Sequence, residues 1–323
     1  MGKEKVFKSR NKNLNVFVIT LLIILLVYTV SMIIPIVWGF YTSFKHWLEF
    51  KDNVVGLPDL TYWSKYGFLD PGYDHIFANY VIIVQNFQFK RSVNYYVGFV
   101  TQTLVRHEAV VGIGPTLVNT FMYCAGCCIL PTFMSLLGGY MCAKYRYKFS
   151  TFIYGFEIFT MVMPIVGTMP AIITLTRQLG FYDEFYGHWI RQCNMVGTYF
   201  LIFYAFYMGL SDTYIEAAEI DGASQIRVIV SIIVPLARTT LSTVMVLMFV
   251  SAWNDYNTPL IYLPTKPTIA YAIFYMTTTG ITKYDRVPIR VATLMLLCIP
   301  ILVFFTIFKN KLMGNVSMGG IKE

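Results

Sequence analysis

The 323-residue sequence predicts an all-α fold, a polytopic membrane protein whose six transmembrane helices form one domain over residues 1–323. Two observations predict it. Apolar residues make up 56% of the chain and charged residues only 13%, whereas soluble domains carry about 25% charged residues. The apolar residues also fall into runs of about 20, the length that a helix needs to cross roughly 30 Å of hydrocarbon. These runs lack the alternation of barrel strands, so helices are expected.

Each predicted span is one such apolar run, and four of the six contain no charged residue. The third contains Glu157, which is expected to pair or snorkel near the cytoplasmic side, and the fifth contains Asp255. The first is longer than the apolar part of a signal peptide and no small-residue cleavage site follows it, which indicates a retained span. The predicted spans are residues 16–38, 116–143, 149–176, 193–210, 239–265 and 291–308.

Basic residues predict the orientation of the chain. Lys and Arg concentrate in the N-terminal tail and in the short loop at residues 144–148, and two predicted spans separate these segments. Because short basic loops stay in the cytoplasm, both termini and the loop at residues 211–238 are expected there. Residues 41–115 form a long external loop, which its length exempts from the charge rule. The net charge of +8 therefore reflects orientation, and no basic patch with interleaved aromatic residues indicates nucleic-acid binding.

The residues that could carry catalysis or bind a metal are sparse. Cys124, Cys127 and Cys128 lie in the second span beside several glycines, which favours helix packing over metal ligation because the span contains no histidine or carboxylate. No disulfide framework is indicated. The chain has no phosphate-binding loop, so no catalytic residue, metal or cofactor is predicted. The histidines are scattered over predicted external loops and are expected at the surface: His46, His75, His107 and His188.

The most informative segment is the predicted cytoplasmic loop at residues 211–238. Thr213 and Glu216 have the spacing of a capping box, which predicts the start of a helix, and Gly222 supplies a turn that ends it. A second amphipathic helix then follows until Pro235. Its apolar face is predicted from residues at helical spacing: Ile226, Ile229, Val230, Ile233 and Val234. Composition alone leaves open whether this loop only connects two spans.

Some residues of this loop also have a distinctive spacing: Glu216-Ala217-Ala218, then Gly222 after three residues, Ile232 after nine, and Val234-Pro235 after one more. The pattern resembles the coupling-loop motif of permeases in binding-protein-dependent ABC importers, with Val234 where the motif usually has Leu. The resemblance implies that the loop docks on a cytoplasmic ATP-binding subunit, which binds the ATP, and that alternating access follows from its movement.

The same resemblance implies roles for single residues of the loop. Glu216 would contact the ATP-binding subunit and Gly222 would form the turn. The small side chains of Ala217 and Ala218 would allow that subunit to approach the helix closely. The implied coupling set is Glu216, Ala217, Ala218, Asp221, Gly222 and Pro235.

Further segments are similar to the carbohydrate-uptake permeases of the maltose-system type. They include Asn119-Thr120, Gly139-Tyr140, the run from Tyr214 to Ser224, and Gly319-Gly320-Ile321-Lys322. A second set lies after the first span and in the fifth: Thr42-Ser43-Phe44-Lys45 and Ser251-Ala252-Trp253-Asn254-Asp255-Tyr256. This branch implies a bacterial inner-membrane permease that imports a sugar or oligosaccharide together with a second permease and an extracytoplasmic binding protein.

Several alternatives stay open. The solute could be a polyol, a glycerophosphodiester or a peptide, and the permease pair could be homo- or heterodimeric. A different class, an ATP-independent channel or secondary transporter, would predict ionisable residues in the central spans or inverted repeats. Trp253, Asn254 and Asp255 are candidates for the transport path, although Asp255 could instead pair locally at the outer interface. The aromatic external loop could contact a sugar or the binding protein, or cap the spans.

Overall fold

The computed structural model describes residues 12–66, 75–98, 103–145, 147–163, 167–193, 197–278 and 286–316. The basic N-terminal tail and the C-terminal Gly319–Lys322 run lie outside the described residues. The described elements, in order, are α1 Lys12–Thr42, α2 Trp47–Asp52, α3 Thr61–Tyr66, α4 Ala78–Asn86, β1 Phe89–Val97, β2 Thr103–Val111, α5 Ile113–Lys144, α6 Lys148–Val162, α7 Met169–Gln178, α8 Phe185–Gln192, α9 Thr198–Met208, α10 Thr213–Ile220, α11 Gln225–Val228, the π-helical segment Ile229–Ile233, α12 Val234–Leu236, α13 Arg238–Asn254, α14 Asn257–Tyr262, α15 Ile269–Thr278 and α16 Val287–Val316.

Three helices in the described ranges are long and apolar enough to cross a membrane. They are α1 over Val16–Thr42, the whole of α5, and α16 over Val287–Phe304. A fourth candidate is the pair Gln225–Leu236 and Arg238–Asn254, which is bent by 72°. The first, second and sixth predicted spans are thus confirmed as helices. By length and composition, the described helices supply three membrane spans, or four with the bent pair, and not the six that were predicted.

The third, fourth and fifth predicted spans are not continuous helices. The third divides into α6, which ends at Val162, and α7, which begins at Met169, with Gly167 at a φ of +80° between them. Glycine adopts such a backbone readily and Pro170 lacks an N–H, so this stretch favours a break. The fourth is reduced to α9, which has 11 residues, and the fifth ends as a helix at Asn254.

An antiparallel hairpin corrects the all-α prediction. β1 and β2 lie in the predicted external loop and pair from Phe89 with Val111 to Val97 with Thr103. Both strands are rich in the β-branched and aromatic residues that suit a pleated, half-buried surface. These residue types are visible in the sequence, but each strand has only 9 residues, and the pattern of apolar runs of about 20 residues does not indicate elements of that length.

The described residues form two compact units, of which the first contains residues 12–86 and 286–296. Most of α1 in this unit is exposed and apolar, as expected of a lipid-facing helix. Ser43 and Lys45, which follow α1, are buried. The Asn79 amide donates to their backbone oxygens at 2.8 and 2.9 Å, and the Ser43 and Tyr80 hydroxyls lie 2.7 Å apart. His46 is also buried, with its ring 4.8 Å from that of Trp63.

The second unit, residues 87–278 and 297–316, is built around α5. Its core packs Leu136 and Tyr140 of α5 against Phe203 and Tyr207 of α9 and against the loop and α13 beyond. Gly139 permits this contact, because a Cβ there would lie 2.8 Å from the Cβ of Phe203. A Cβ on Gly126 would overlap Trp189. The expectation that small residues of the second span serve helix packing is confirmed at these two positions.

Several polar residues lie deeper than expected. His46 and His188 are buried, so the surface prediction is wrong for both, whereas His75 is exposed. His107 contacts the buried carboxylate of Asp183 at 2.9 Å. Glu157 is 4% exposed and accepts a hydrogen bond from the backbone of Gly197, so it neither snorkels nor forms an ion pair among the described residues. Residues from distant parts of the chain bury these side chains, and the hydrophobic periodicity of the sequence does not indicate such neighbours.

Candidate functional site

The loop at residues 211–238 consists of two short helices around a glycine turn, as predicted. α10 begins at Thr213 with Asp212, not Thr213, at its N-cap position, so the capping-box prediction is wrong. The Ser211 hydroxyl accepts a hydrogen bond from the Thr213 backbone at 3.4 Å and lies 2.5 Å from the Thr213 hydroxyl. The Thr213 side chain therefore contacts Ser211, two residues before the first residue of the helix, instead of capping it.

Gly222 ends α10 with a left-handed backbone, at a φ of +75°. Its N–H donates to the carbonyl of Glu219 and the Ala223 N–H donates to the carbonyl of Ala218 at 2.9 Å, which is the Schellman arrangement. Among the described residues, no heavy atom beyond those of its two chain neighbours lies within 4 Å of where a Gly222 Cβ would be. The glycine is therefore needed for its backbone conformation rather than for space.

The loop presents an exposed surface with both apolar and charged groups. Ile220 is 86% exposed and Ile226 is 75% exposed, and Tyr214 lies at the surface as well. Of the predicted coupling residues, only Ala218 is buried, and it packs into the core of its own chain; those exposed are Glu216, Ala217, Asp221, Gly222 and Pro235. Within the described residues, no side-chain hydrogen bond or ion pair involves the Glu216 carboxylate, which remains accessible to another chain.

The predicted apolar face of the second helix is only partly buried. Ile233 is fully buried, but Ile226 and Val230 point to the surface. The buried side chains of this stretch are Val228, Ile233 and Ala237. Val228 and Ile233 are five residues apart, the spacing of the π-helical segment Ile229–Ile233, whereas a regular helix predicts a spacing of three or four. Helical residues continue through Pro235 to Leu236, where the 72° bend into α13 follows.

A cavity of about 640 Å³ lies between α5, α9 and α13 and combines polar and apolar groups. This volume lies in the range of small-molecule sites, roughly 300–1,000 Å³. Hydroxyl, amide and carboxylate groups are spread over its wall among apolar side chains. The polar lining residues are Tyr123, Gln192, Thr198, Tyr199, Ser251 and Asp255.

The three predicted path residues have different surroundings. Asp255 lines the cavity, where its Oδ2 accepts a hydrogen bond from the Tyr123 hydroxyl at 2.8 Å and its Oδ1 accepts one from the Thr258 N–H at 3.0 Å. Trp253 is buried, and its Nε1 donates to the Leu297 carbonyl at 3.2 Å. Asn254 is exposed and its amide donates to the Val250 carbonyl. Of the three, only Asp255 lines the cavity.

Sequence reasoning missed a group of side chains behind this cavity. The His188 ring stacks on Tyr123 with centroids 5.1 Å apart, and its Nε2 lies 3.3 Å from Cys127 Sγ. Arg191 contacts the other ring nitrogen at 3.2 Å. Because arginine only donates, that nitrogen, Nδ1, accepts and the proton is on Nε2. Among the residues that the structure describes, no three His, Cys, Asp or Glu side chains are grouped to hold a metal ion.

Known proteins are similar to this chain in sequence and in fold. The family model of the binding-protein-dependent transport system inner membrane component matches residues 135–313. The chain is 24% identical to the Synechocystis osmoprotective compounds uptake permease protein GgtD over 66% of this chain and 72% of that protein. It is 24% identical to the Mycobacterium tuberculosis trehalose transport system permease protein SugB over 60% of this chain and 72% of that protein.

Two further similarities extend this result. The Escherichia coli sn-glycerol-3-phosphate transport system permease protein UgpE is 25% identical over 62% of this chain and 72% of its own length. A chain from the crystal structure of a bacterial ABC transporter involved in the import of the acidic polysaccharide alginate has the same fold. It matches with a TM-score of 0.66 and 17% identity, over 93% of this chain and 98% of that chain.

Proposed function

The chain belongs to the family of binding-protein-dependent transport system inner membrane components, and we propose that it is the permease subunit of an ATP-driven importer of sugars or related polyols. The family is a transport component rather than an enzyme. Relatives named for trehalose and sn-glycerol 3-phosphate transport support a small polyhydroxylated solute. A second permease, a pair of cytoplasmic ATP-binding subunits that bind the ATP, and an extracytoplasmic binding protein complete the proposed transporter.

One observation carries this proposal: the 211–238 loop ends its first helix in a left-handed glycine turn and leaves an accessible carboxylate beside exposed apolar side chains. A short, partly apolar helix of this kind suits recognition in a groove of another protein. Glu216 supplies the charge, and Ile220 and Ile226 supply apolar area that would leave water on docking. The loop thus has the chemistry to bind the ATP-binding subunit.

The polar cavity supports the proposed solute class. Hydroxyl, amide and carboxylate groups can exchange hydrogen bonds with a sugar, and Tyr123 and Tyr199 add aromatic rings to the lining. In this proposal Asp255 is the principal polar contact of the path. Trp253 and Asn254 support the position of Asp255: Trp253 packs against neighbouring helices, and the Asn254 amide bonds to the backbone of α13.

Six crossings with both termini in the cytoplasm remain part of the proposal. α13, the second helix of the bent pair, and the shorter apolar helix α9 would contribute spans that neighbouring segments complete. Irregular backbone at membrane depth is tolerated where it is buried in protein or lines a cavity.

The test is purification of the transporter from its native membrane through a tag on this chain. We expect an ATP-binding subunit to copurify, and the Glu216→Lys variant to lose it because a cation replaces the carboxylate. Glu108→Lys, which inverts an exposed carboxylate on the hairpin, is the matched control and should retain the subunit. Absence of any ATP-binding subunit from the wild-type preparation, together with solute uptake in its absence, would instead indicate a channel or secondary transporter.

A further inference from the structure

The C-terminal end of α5 is attached to the 211–238 loop by a buried cation. Lys144 Nζ lies 2.5 Å from the Leu210 carbonyl oxygen and 2.5 Å from Asp212 Oδ1. The lysine side chain is only 7% exposed, whereas that of Asp212 is 51% exposed. An ammonium group at this depth needs partners, and hydrogen bonds to charged groups are stronger than neutral ones. One lysine therefore joins the end of α5 to the residues between α9 and α10.

The next residue makes a second attachment. The Tyr145 hydroxyl donates to Oε1 of Gln225, the first residue of α11, and Gln225 Nε2 donates to Glu219 Oε1 in α10 at 3.2 Å. The Tyr145 ring packs edge-to-face on Tyr140 with centroids 5.8 Å apart. Two consecutive residues at the end of α5 thus hold the N-cap residue of α10 and the first residue of α11.

The apolar groups that the loop exposes are not among the residues that attach it to α5. Lys144 is almost completely covered, whereas Ile220 and Ile226 are open to solvent. A partner that docks on Ile220 and Ile226 would leave the lysine contacts in place. Glu216 lines the same cavity as Lys144, but neither hydrogen bond of the Lys144 ammonium group goes to it. Docking on the loop and transmission from the loop to α5 are therefore physically separable.

α5 also reaches the polar cavity. Tyr123 and Cys127, which line it, lie on the same helix as Lys144, and 21 residues from Tyr123 to Lys144 correspond to roughly 30 Å of helix. A loop that is held to one end of this helix can shift the cavity wall at the other end. The helix is a continuous element that both sites contact, which is the physical requirement for coupling between them.

We propose that Lys144 is a positioning residue that fastens the 211–238 loop to α5, so that movement of the loop is transmitted to the cavity wall. This inference rests on the proposed function, because it concerns the transmission step of an importer driven by a docked ATP-binding subunit. Lys144 itself contacts neither the solute nor that subunit. Its contribution is to make the loop and α5 move together.

The experiment uses the complete transporter, reconstituted in vesicles with its binding protein. It compares Lys144→Met, Asp212→Asn, the double variant and Lys144→Arg. Lys148→Met, which removes an exposed lysine at the start of α6, is the matched control. For each variant the amount of copurified ATP-binding subunit, the rate of ATP hydrolysis and the solute imported per ATP are measured.

We expect Lys144→Met to retain the ATP-binding subunit while solute imported per ATP falls by at least roughly tenfold, because loss of one hydrogen bond to a charged group already corresponds to about that factor and Lys144 makes two. Asp212→Asn should have a smaller effect because the Leu210 contact remains. The double variant should be no worse than Lys144→Met, since both act through one interaction. Lys144→Arg should restore most of the coupling, because a cavity of about 380 Å³ beside Lys144 leaves room for a guanidinium group.

Three results would overturn the inference: unchanged solute import per ATP in both Lys144→Met and Asp212→Asn, additive losses in the double variant, or loss of the ATP-binding subunit from Lys144→Met. If Lys144→Met fails to fold, Asp212→Asn alone decides, since it alters an exposed side chain. Failure of the proposed function is recognised separately, because the wild-type chain would then copurify without an ATP-binding subunit, and both proposals would fall.

Discussion

The Tyr123 hydroxyl donates a hydrogen bond of 2.8 Å to Asp255 Oδ2 across a separation of 132 residues. Both residues line the polar cavity, where the tyrosine ring also stacks on His188. The bond orients one oxygen of the carboxylate, while the Thr258 N–H orients the other. The geometry of the cavity wall therefore depends on contacts between α5 and the end of α13.

This contact predicts the behaviour of Tyr123→Phe. Removal of the hydroxyl leaves Asp255 with one fewer donor, and we expect the KM for solute import to rise roughly tenfold, as loss of about 1.4 kcal/mol would produce. Measurement of import rates against solute concentration checks this. Tyr96→Phe, an exposed tyrosine on the hairpin, should leave KM unchanged. An unaltered KM in Tyr123→Phe would remove Asp255 and its partner from the solute path.

Trp253 predicts an effect on stability instead of solute affinity. Its buried ring and its 3.2 Å hydrogen bond to Leu297 hold α13 against α16, so Trp253→Ala should lower the free energy of unfolding by roughly 3–5 kcal/mol. Thermal unfolding of the detergent-solubilised protein measures the change. Tyr96→Ala on the exposed hairpin surface serves as the control. A normal melting temperature combined with a raised KM would show that Trp253 contacts solute directly.

The left-handed turn at Gly222 predicts a graded series of variants. Asn tolerates a positive φ better than Ala, and a β-branched residue is the least suited to it, so transport should decline from Gly222→Asn to Gly222→Ala to Gly222→Val. Each step costs on the order of 1 kcal/mol in backbone strain. Gly209→Ala is the control, because Gly209 has a φ of −80°. Equal transport in all three Gly222 variants would contradict a conformational role for this glycine.

His188 predicts a dependence of stability on pH. The residue lies in the short helix α8, outside the candidate spans, and its burial, followed by the nearby Arg191 charge, lowers its pKa from 6.5 to about 3. Because the unfolded chain binds this proton more readily, stability is complete above about pH 6.5 and falls as the pH drops toward 3. The loss approaches roughly 1.4 kcal/mol per pH unit within that window.

The measurement is the melting temperature of the wild type and of His188→Asn between pH 7 and pH 5. The wild type should lose stability more steeply than the variant, because asparagine does not titrate. His75→Asn changes an exposed histidine and should follow the wild-type slope. Parallel slopes for the wild type and His188→Asn would show that His188 titrates in the folded protein as it does in the unfolded chain.

Membrane residence, three of the long helices and the glycine turn of the coupling loop could be predicted from sequence, because each depends on a local property. A helix in lipid satisfies its own backbone and needs only an apolar run of sufficient length, and Gly222 is specified by the backbone of its own turn. The motif around Glu216 likewise lies in one stretch of the sequence, so its resemblance to a family does not depend on the fold.

The tertiary structure alone decided which polar residues meet. Trp253, Asn254 and Asp255 are consecutive, yet only Asp255 lines the cavity, since successive residues at a helix end point in different directions and their neighbours come from distant elements. His188 likewise contacts Cys127, which lies 61 residues before it, and Lys144 contacts Asp212, which lies 68 residues after it. No local pattern records such pairs, because long-range packing brings them together.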